Sequence, residues 1–254
     1  MILIHRLTPF GIGLFVALGF ASLFLGWLSP LWSIVLTFLP VAFLYARLLH
    51  FRVRTFQFWH FSGTPLLYLL ASFGIIFLLE QELFGIMIAA LSFFFLVLFA
   101  EYIFQYTHLP SQYQPYSIEY LTLLLNVLTI FFLSSLGYGT NLLIQMPLWI
   151  LSPLFFFISL FILYGTLWVS KADEKHAKSY ALAGSVLTTE FFTALAFLPS
   201  GLYTNAALIT IFLYLFLGLT RAQAHHKLSA KVAHRYLIVS GILLLVIILS
   251  TAWI

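Results

Sequence analysis

One carboxylate stands where chemistry is expensive. Glu190 lies in the run Leu187-Thr188-Thr189-Glu190-Phe191-Phe192-Thr193, near the middle of an apolar stretch long enough to cross a bilayer. Placing an ionisable side chain there costs about 2.5 to 3.5 kcal/mol on insertion scales, so its presence needs a reason. Asn126 falls at a comparable depth in another apolar stretch, as does Pro40 in a third. In functional terms, Glu190, Asn126 and the hydroxyls of Thr189 and Thr193 would line a polar cavity in which the carboxylate exchanges a proton or binds a cation. In structural terms, a protonated Glu190 would hydrogen-bond a neighbouring helix and simply hold it. Pro40 lacks an amide donor and is expected to kink its helix, chiefly as a matter of packing.

A second set of candidates gathers around the stretch Tyr106 to Ser117, which holds no Lys or Arg. Glu101 and Glu119 bracket it and His108 lies within it. Two carboxylates and an imidazole suit a divalent metal, and the adjacent tyrosines and glutamines suit a polar headgroup. The simpler expectation is that both acids pair with Arg47, Arg52 or Arg54 from a neighbouring connection. The other histidines are His5, His50, His60, His176, His225, His226 and His234. Membrane-bound di-iron enzymes such as desaturases pair histidines at three- and four-residue spacings in several boxes. Here only His225 and His226 adjoin, and no other segment repeats such a pair. The histidines are therefore expected to accompany Lys and Arg at an anionic membrane surface, and no metal or cofactor is assigned.

The elements that must position these groups follow from composition. Of 254 residues, 63% are apolar and 7% charged, against about 25% charged in soluble domains. Such a chain has too little polar surface to face water, whereas lipid accepts it. The expected fold is an all-α integral membrane protein, a single polytopic bundle over 1–254. Its spans fall near 11–28, 31–49, 64–79, 83–105, 118–136, 147–170, 180–198, 206–220 and 236–254. The basic residue Arg6 followed by apolar residues resembles a signal peptide, but the stretch runs directly into a second one and is expected to be a retained first span.

Charge orients these spans, because Lys and Arg are retained on the cytoplasmic side of short loops. Alternating from a cytoplasmic amino terminus, all eleven basic residues fall inside: Arg6; Arg47, Arg52 and Arg54; Lys171, Lys175 and Lys178; Arg221, Lys227, Lys231 and Arg235. The outer connections hold none, which predicts an external carboxyl terminus. All eight histidines fall on the inner side as well. The six tryptophans lie at or beside predicted span ends, as expected of an indole at headgroup level. Arg221 to Arg235 is expected to form a helical linker on the inner leaflet, where it and the other basic connections attract anionic lipid.

The chain has no cysteine, which excludes disulfides, thiolate metal sites and cysteine nucleophiles. It has no phosphate-binding glycine loop, nucleophile elbow or zinc motif, and every lysine falls in a predicted loop, which excludes a retinal protein. Nucleic acid is not an expected partner despite a pI near 9.3, since no basic block is long enough. Three classes remain. A non-catalytic subunit or accessory protein of a membrane complex accounts for most of these features, with membrane proteins and lipids as partners. The alternatives are a small transporter using Glu190 and a lipid-modifying enzyme at the inner interface around Glu101, His108 and Glu119. Short loops, the lack of cysteine and a compact chain point to a prokaryotic plasma membrane.

Overall fold

The computed structural model describes residues 5–250, and among them every regular element is a helix. Nine helices follow in order: α1 (Thr8–Phe24), α2 (Pro30–Leu48), α3 (Phe56–Ile76), α4 (Glu82–His108), α5 (Ser117–Leu143), α6 (Leu148–Val169), α7 (Glu174–Leu195), α8 (Leu202–Ala224) and α9 (Ala230–Ser250). Six of them, α2, α4, α5, α6, α8 and α9, are long and apolar enough to cross a membrane. Of the other three, α1 is apolar but only 17 residues long, while α3 and α7 carry polar side chains along their length. The part of the last expected span beyond Ser250 lies outside the described residues.

The helix ends follow local chemistry. Pro30 opens α2 behind Ser29, where its missing N–H costs nothing. Thr55 caps α3, accepting the Phe58 amide at 3.3 Å, so this helix begins eight residues before the expected Thr64. Helix α2 runs through Pro40 to Leu48 without interruption. The expected helical linker from Arg221 to Arg235 is instead broken. Helix α8 ends at Ala224, His226 takes a left-handed φ of 53°, and α9 starts only at Ala230.

Four helices terminate in the same hydrogen-bonded motif, in which two amides beyond the end turn back onto the last turn. At α1 the residue with positive φ is Gly26, the usual choice because it lacks a Cβ. At α2, α6 and α8 that position is filled by His50, Lys171 and His226, with φ between 53° and 57°. The bonds at α2 are His50 N–H to the Arg47 carbonyl at 3.1 Å and Phe51 N–H to Ala46 at 2.9 Å. A side chain there carries a strain of about 1–2 kcal/mol, which a basic residue partly offsets against the helix dipole.

The chain divides into two units, Met1–Leu125 and Asn126–Ile254, the border falling within α5. In the first, α1 packs on α2 and α4, and α3 closes the ring against the same two helices. Gly19 lets α1 approach α2 closely, since a Cβ there would overlap Thr37. Beside it Ser22 donates to Ser33 at 2.9 Å. Tyr45 is fully buried and donates to the Leu96 carbonyl of α4 at 2.8 Å, while Phe20 and Phe73 stack at 4.3 Å. In the second unit α6, α7 and α8 pack in sequence, and α9 lies on α8. Helix α9 buries only Ser240 among its described residues, leaving its apolar surface outside.

Candidate functional site

At one end of the first unit three histidines from distant positions meet. His5 precedes α1, His50 sits at the left-handed end of α2, and His108 is the last residue of α4. Each offers a ring nitrogen, and the three nitrogens lie within 4.8 Å of one another. Ring centroids are 4.5 Å apart for His5 and His108, 5.0 Å for His50 and His108, and 5.6 Å for His5 and His50.

His50 and His108 are each held by local contacts. The loop carrying His50 is tied down by Thr55, whose hydroxyl donates to the Arg52 carbonyl at 2.9 Å, and by the Trp59 indole, which donates to Val53 at 2.8 Å. The His108 ring stacks on Phe104, one helical turn before it, at 5.2 Å. Its Nδ1 lies 2.6 Å from the Thr107 hydroxyl. That hydroxyl has a single proton, and the Ile103 carbonyl at 2.7 Å can only accept it. With that proton on Ile103, the Thr107 oxygen accepts from His108 Nδ1, and Nε2 presents a lone pair; this is the tautomer a metal ligand requires. This Nε2 is buried and has no hydrogen-bond partner, and the same holds for Nδ1 of His5. Burial lowers the pKa of His5, with the neighbouring His50 and Arg47 acting in the same direction, which favours the neutral ring.

A cavity of about 340 Å³ adjoins the cluster, lined by His50, Arg52, Thr55, Gln57, Tyr106 and Thr107 among others. Its size lies within the range of small-molecule sites, and its lining offers hydrogen-bond donors and one cation. Of the residues singled out from sequence at this end, His108 alone belongs to the cluster. The Glu101 carboxylate accepts from the Gln105 amide at 3.1 Å, one turn on along the same helix. Glu119 stands in the first turn of α5, where a negative charge complements the helix dipole.

The second unit treats its polar side chains differently. Asn126 is buried and donates to the Thr166 hydroxyl of α6 at 2.8 Å, which in turn donates to Ile162 at 2.7 Å. Thr193 donates to the Thr189 carbonyl at 2.9 Å, and its hydroxyl meets Ser152 of α6 at the same distance. The Thr189 hydroxyl is buried without a hydrogen-bond partner. Glu190 does not join them, because its side chain is exposed.

The orientation of Glu190 follows from Phe192. That ring is sandwiched between Tyr138 of α5 at 4.7 Å and Phe155 of α6 at 4.4 Å, and the Tyr138 hydroxyl donates to the Phe192 carbonyl at 2.9 Å. Two residues on a helix turn through about 200°, so fixing Phe192 inward sends Glu190 outward. It emerges on a face with Ala183, Leu187, Ala194 and Phe197, all exposed. The four groups expected to share a cavity thus divide between the hydrogen-bonded Asn126 and Thr193, the buried hydroxyl of Thr189, and an exterior Glu190 carboxylate.

Nothing in the sequence around His5 and His50 marks them as ligands. Their placement on one side with His108 was available from topology, but their mutual approach depends on how α1, α2 and α4 pack. No protein family, no curated protein and no solved structure matches this chain.

Proposed function

We propose that this helical membrane protein is a non-catalytic subunit or accessory protein of a membrane complex, and that Glu190 marks the face it presents to its partner. The observation that carries this is an exposed carboxylate in the carboxyl-terminal third of α7, on a face otherwise made of apolar side chains such as Leu187 and Ala194. Ionisable groups inside membranes almost always face a bundle interior or a water-filled cavity. Glu190 faces out of its own chain, so the interior it requires belongs to a larger assembly. The partner is an integral membrane protein offering a hydrogen-bond donor or a cation at that depth. The largely unburied α9 is a second surface available to lipid or to the complex.

In this proposal all nine helices cross the bilayer, with the amino terminus cytoplasmic and the carboxyl terminus outside. Support comes from the confinement of all eleven Lys and Arg residues to alternate connections. The basic residues His50, Lys171 and His226 then close helix ends on the cytoplasmic side, where anionic lipid is the natural neighbour. The short connections fit a prokaryotic plasma membrane. Transport through Glu190 draws less support, since the carboxylate faces away from the paired interior of its unit.

The test is site-specific photo-crosslinking in the native membrane from positions 183, 187 and 194 of α7. The expected result is one recurring membrane-protein partner, captured from this stripe and lost in a Glu190→Lys background. Adducts with lipid alone, or with a second copy of the chain, would contradict the proposal.

A further inference from the structure

We propose that His5, His50 and His108 bind one divalent first-row transition-metal ion, with zinc as the representative, through three imidazole nitrogens. This site is independent of the Glu190 face and of the assembly inferred from it.

Three features support a cation here. The first is ligand readiness: the hydrogen-bond chain from His108 through Thr107 to Ile103 leaves His108 Nε2 as a bare, buried lone pair. Metal-bound histidines characteristically donate their other ring N–H to an oxygen that fixes the tautomer, and Thr107 supplies that oxygen. The second is distance. Nitrogens within 4.8 Å need only modest side-chain rotation to reach the roughly 3.3 Å separation of tetrahedral neighbours around a metal bound at about 2.0–2.1 Å. The third is electrostatics. His50 and His108 stand at the carboxyl ends of α2 and α4, where the helix dipoles place partial negative charge. Those two ends work against the nearby Arg47, which by itself would repel a cation.

Three nitrogens leave a tetrahedral ion one open position. Imidazole-only ligation suits zinc, copper or nickel over magnesium or calcium, which prefer oxygen. The strained φ of 54° at His50 fits the same purpose, since glycine would close the helix more cheaply but could not ligate. Thr107 is a positioning residue that acts through His108.

The experiment uses the full-length, untagged protein in detergent, stripped with a chelator, supplied with Zn²⁺ and desalted. Elemental analysis is expected to find one zinc per chain, lost in His50→Ala and His108→Ala and kept in a His225→Ala/His226→Ala control. Thr107→Val is expected to weaken zinc binding about 10-fold with unchanged thermal stability, and Thr107→Ser to restore it. Because alanine variants can fail to fold, the unaltered protein is also footprinted with a histidine-acylating reagent. Zinc is expected to protect His5, His50 and His108 and to leave His176 and His234 reactive. A zinc-free wild type, full zinc in His108→Ala, or a footprint that zinc does not change would each overturn the proposal.

Discussion

Helices α3 and α7 are the polar helices of their respective units, and they dispose of that polarity in opposite ways. In α3 the side chains of His60, Ser62, Thr64 and Ser72 are all buried, with Ser62 and Ser72 returning their hydroxyl protons to carbonyls one turn back at 2.6 and 2.8 Å. In α7 the hydroxyl of Thr188 does the same with Gly184 at 2.6 Å, yet Glu190 is left outside. A hydroxyl can satisfy itself on a carbonyl of its own helix, whereas a carboxylate has only acceptors and needs a donor side chain, as Gln105 supplies for Glu101. The first unit keeps these hydroxyls inside and brings two buried, unpartnered imidazole nitrogens, Nδ1 of His5 and Nε2 of His108, together in one histidine cluster. The second leaves the Glu190 carboxylate exposed, the group that the proposed partner would satisfy.

The largest expected effect comes from reversing that charge. Glu190→Lys should reduce recovery of the partner by about 100-fold or more, the consequence of an uncompensated buried charge. Glu190→Gln keeps hydrogen-bonding capacity and should retain most of it. Quantitative mass spectrometry of co-purified protein reads both, and equal recovery from all three forms would remove the distinction between the units.

Next in size is Gly19→Leu, which places side-chain atoms where Thr37 stands. It should destabilise the first unit by ~1–3 kcal/mol through overpacking, seen as a lower thermal midpoint in detergent. A normal midpoint would show that α1 and α2 are not closely packed there.

A sharper comparison uses the three left-handed helix ends. His50→Gly, Lys171→Gly and His226→Gly should each stabilise the fold by ~1 kcal/mol, because glycine relieves the backbone strain. Only His50→Gly should also abolish zinc binding. The smallest effect belongs to Asn126→Leu, which leaves the Thr166 hydroxyl bonded to Ile162 and removes one interhelical bond. It should cost ~0.6 kcal/mol, measured in a double-variant cycle with Thr166→Val.

The helical membrane architecture was legible because composition alone leaves no alternative to lipid as solvent. Several helix ends were legible too, as at Ser29-Pro30, where proline opens α2. The start of α3 was misplaced because the basic and aromatic residues up to Phe61 read as a connection, although the capping threonine at position 55 was present in the sequence. The direction of Glu190 was hidden for a physical reason. In a soluble helix the polar stripe marks the outside, but in lipid both faces are apolar, so nothing in Leu187 to Thr193 separates inside from outside. That choice is made by Phe192 between Tyr138 and Phe155, residues 54 and 37 positions away. The histidine cluster was hidden in the same manner, since positions 5, 50 and 108 become neighbours only through helix packing.

The most direct measurement is native mass spectrometry of the untagged protein, extracted gently from its own membrane. The expected result is a complex in which this chain is joined in fixed stoichiometry by a different membrane protein, and which Glu190→Lys disperses. Release of the chain alone, or as a homo-oligomer that Glu190→Lys leaves intact, would contradict it.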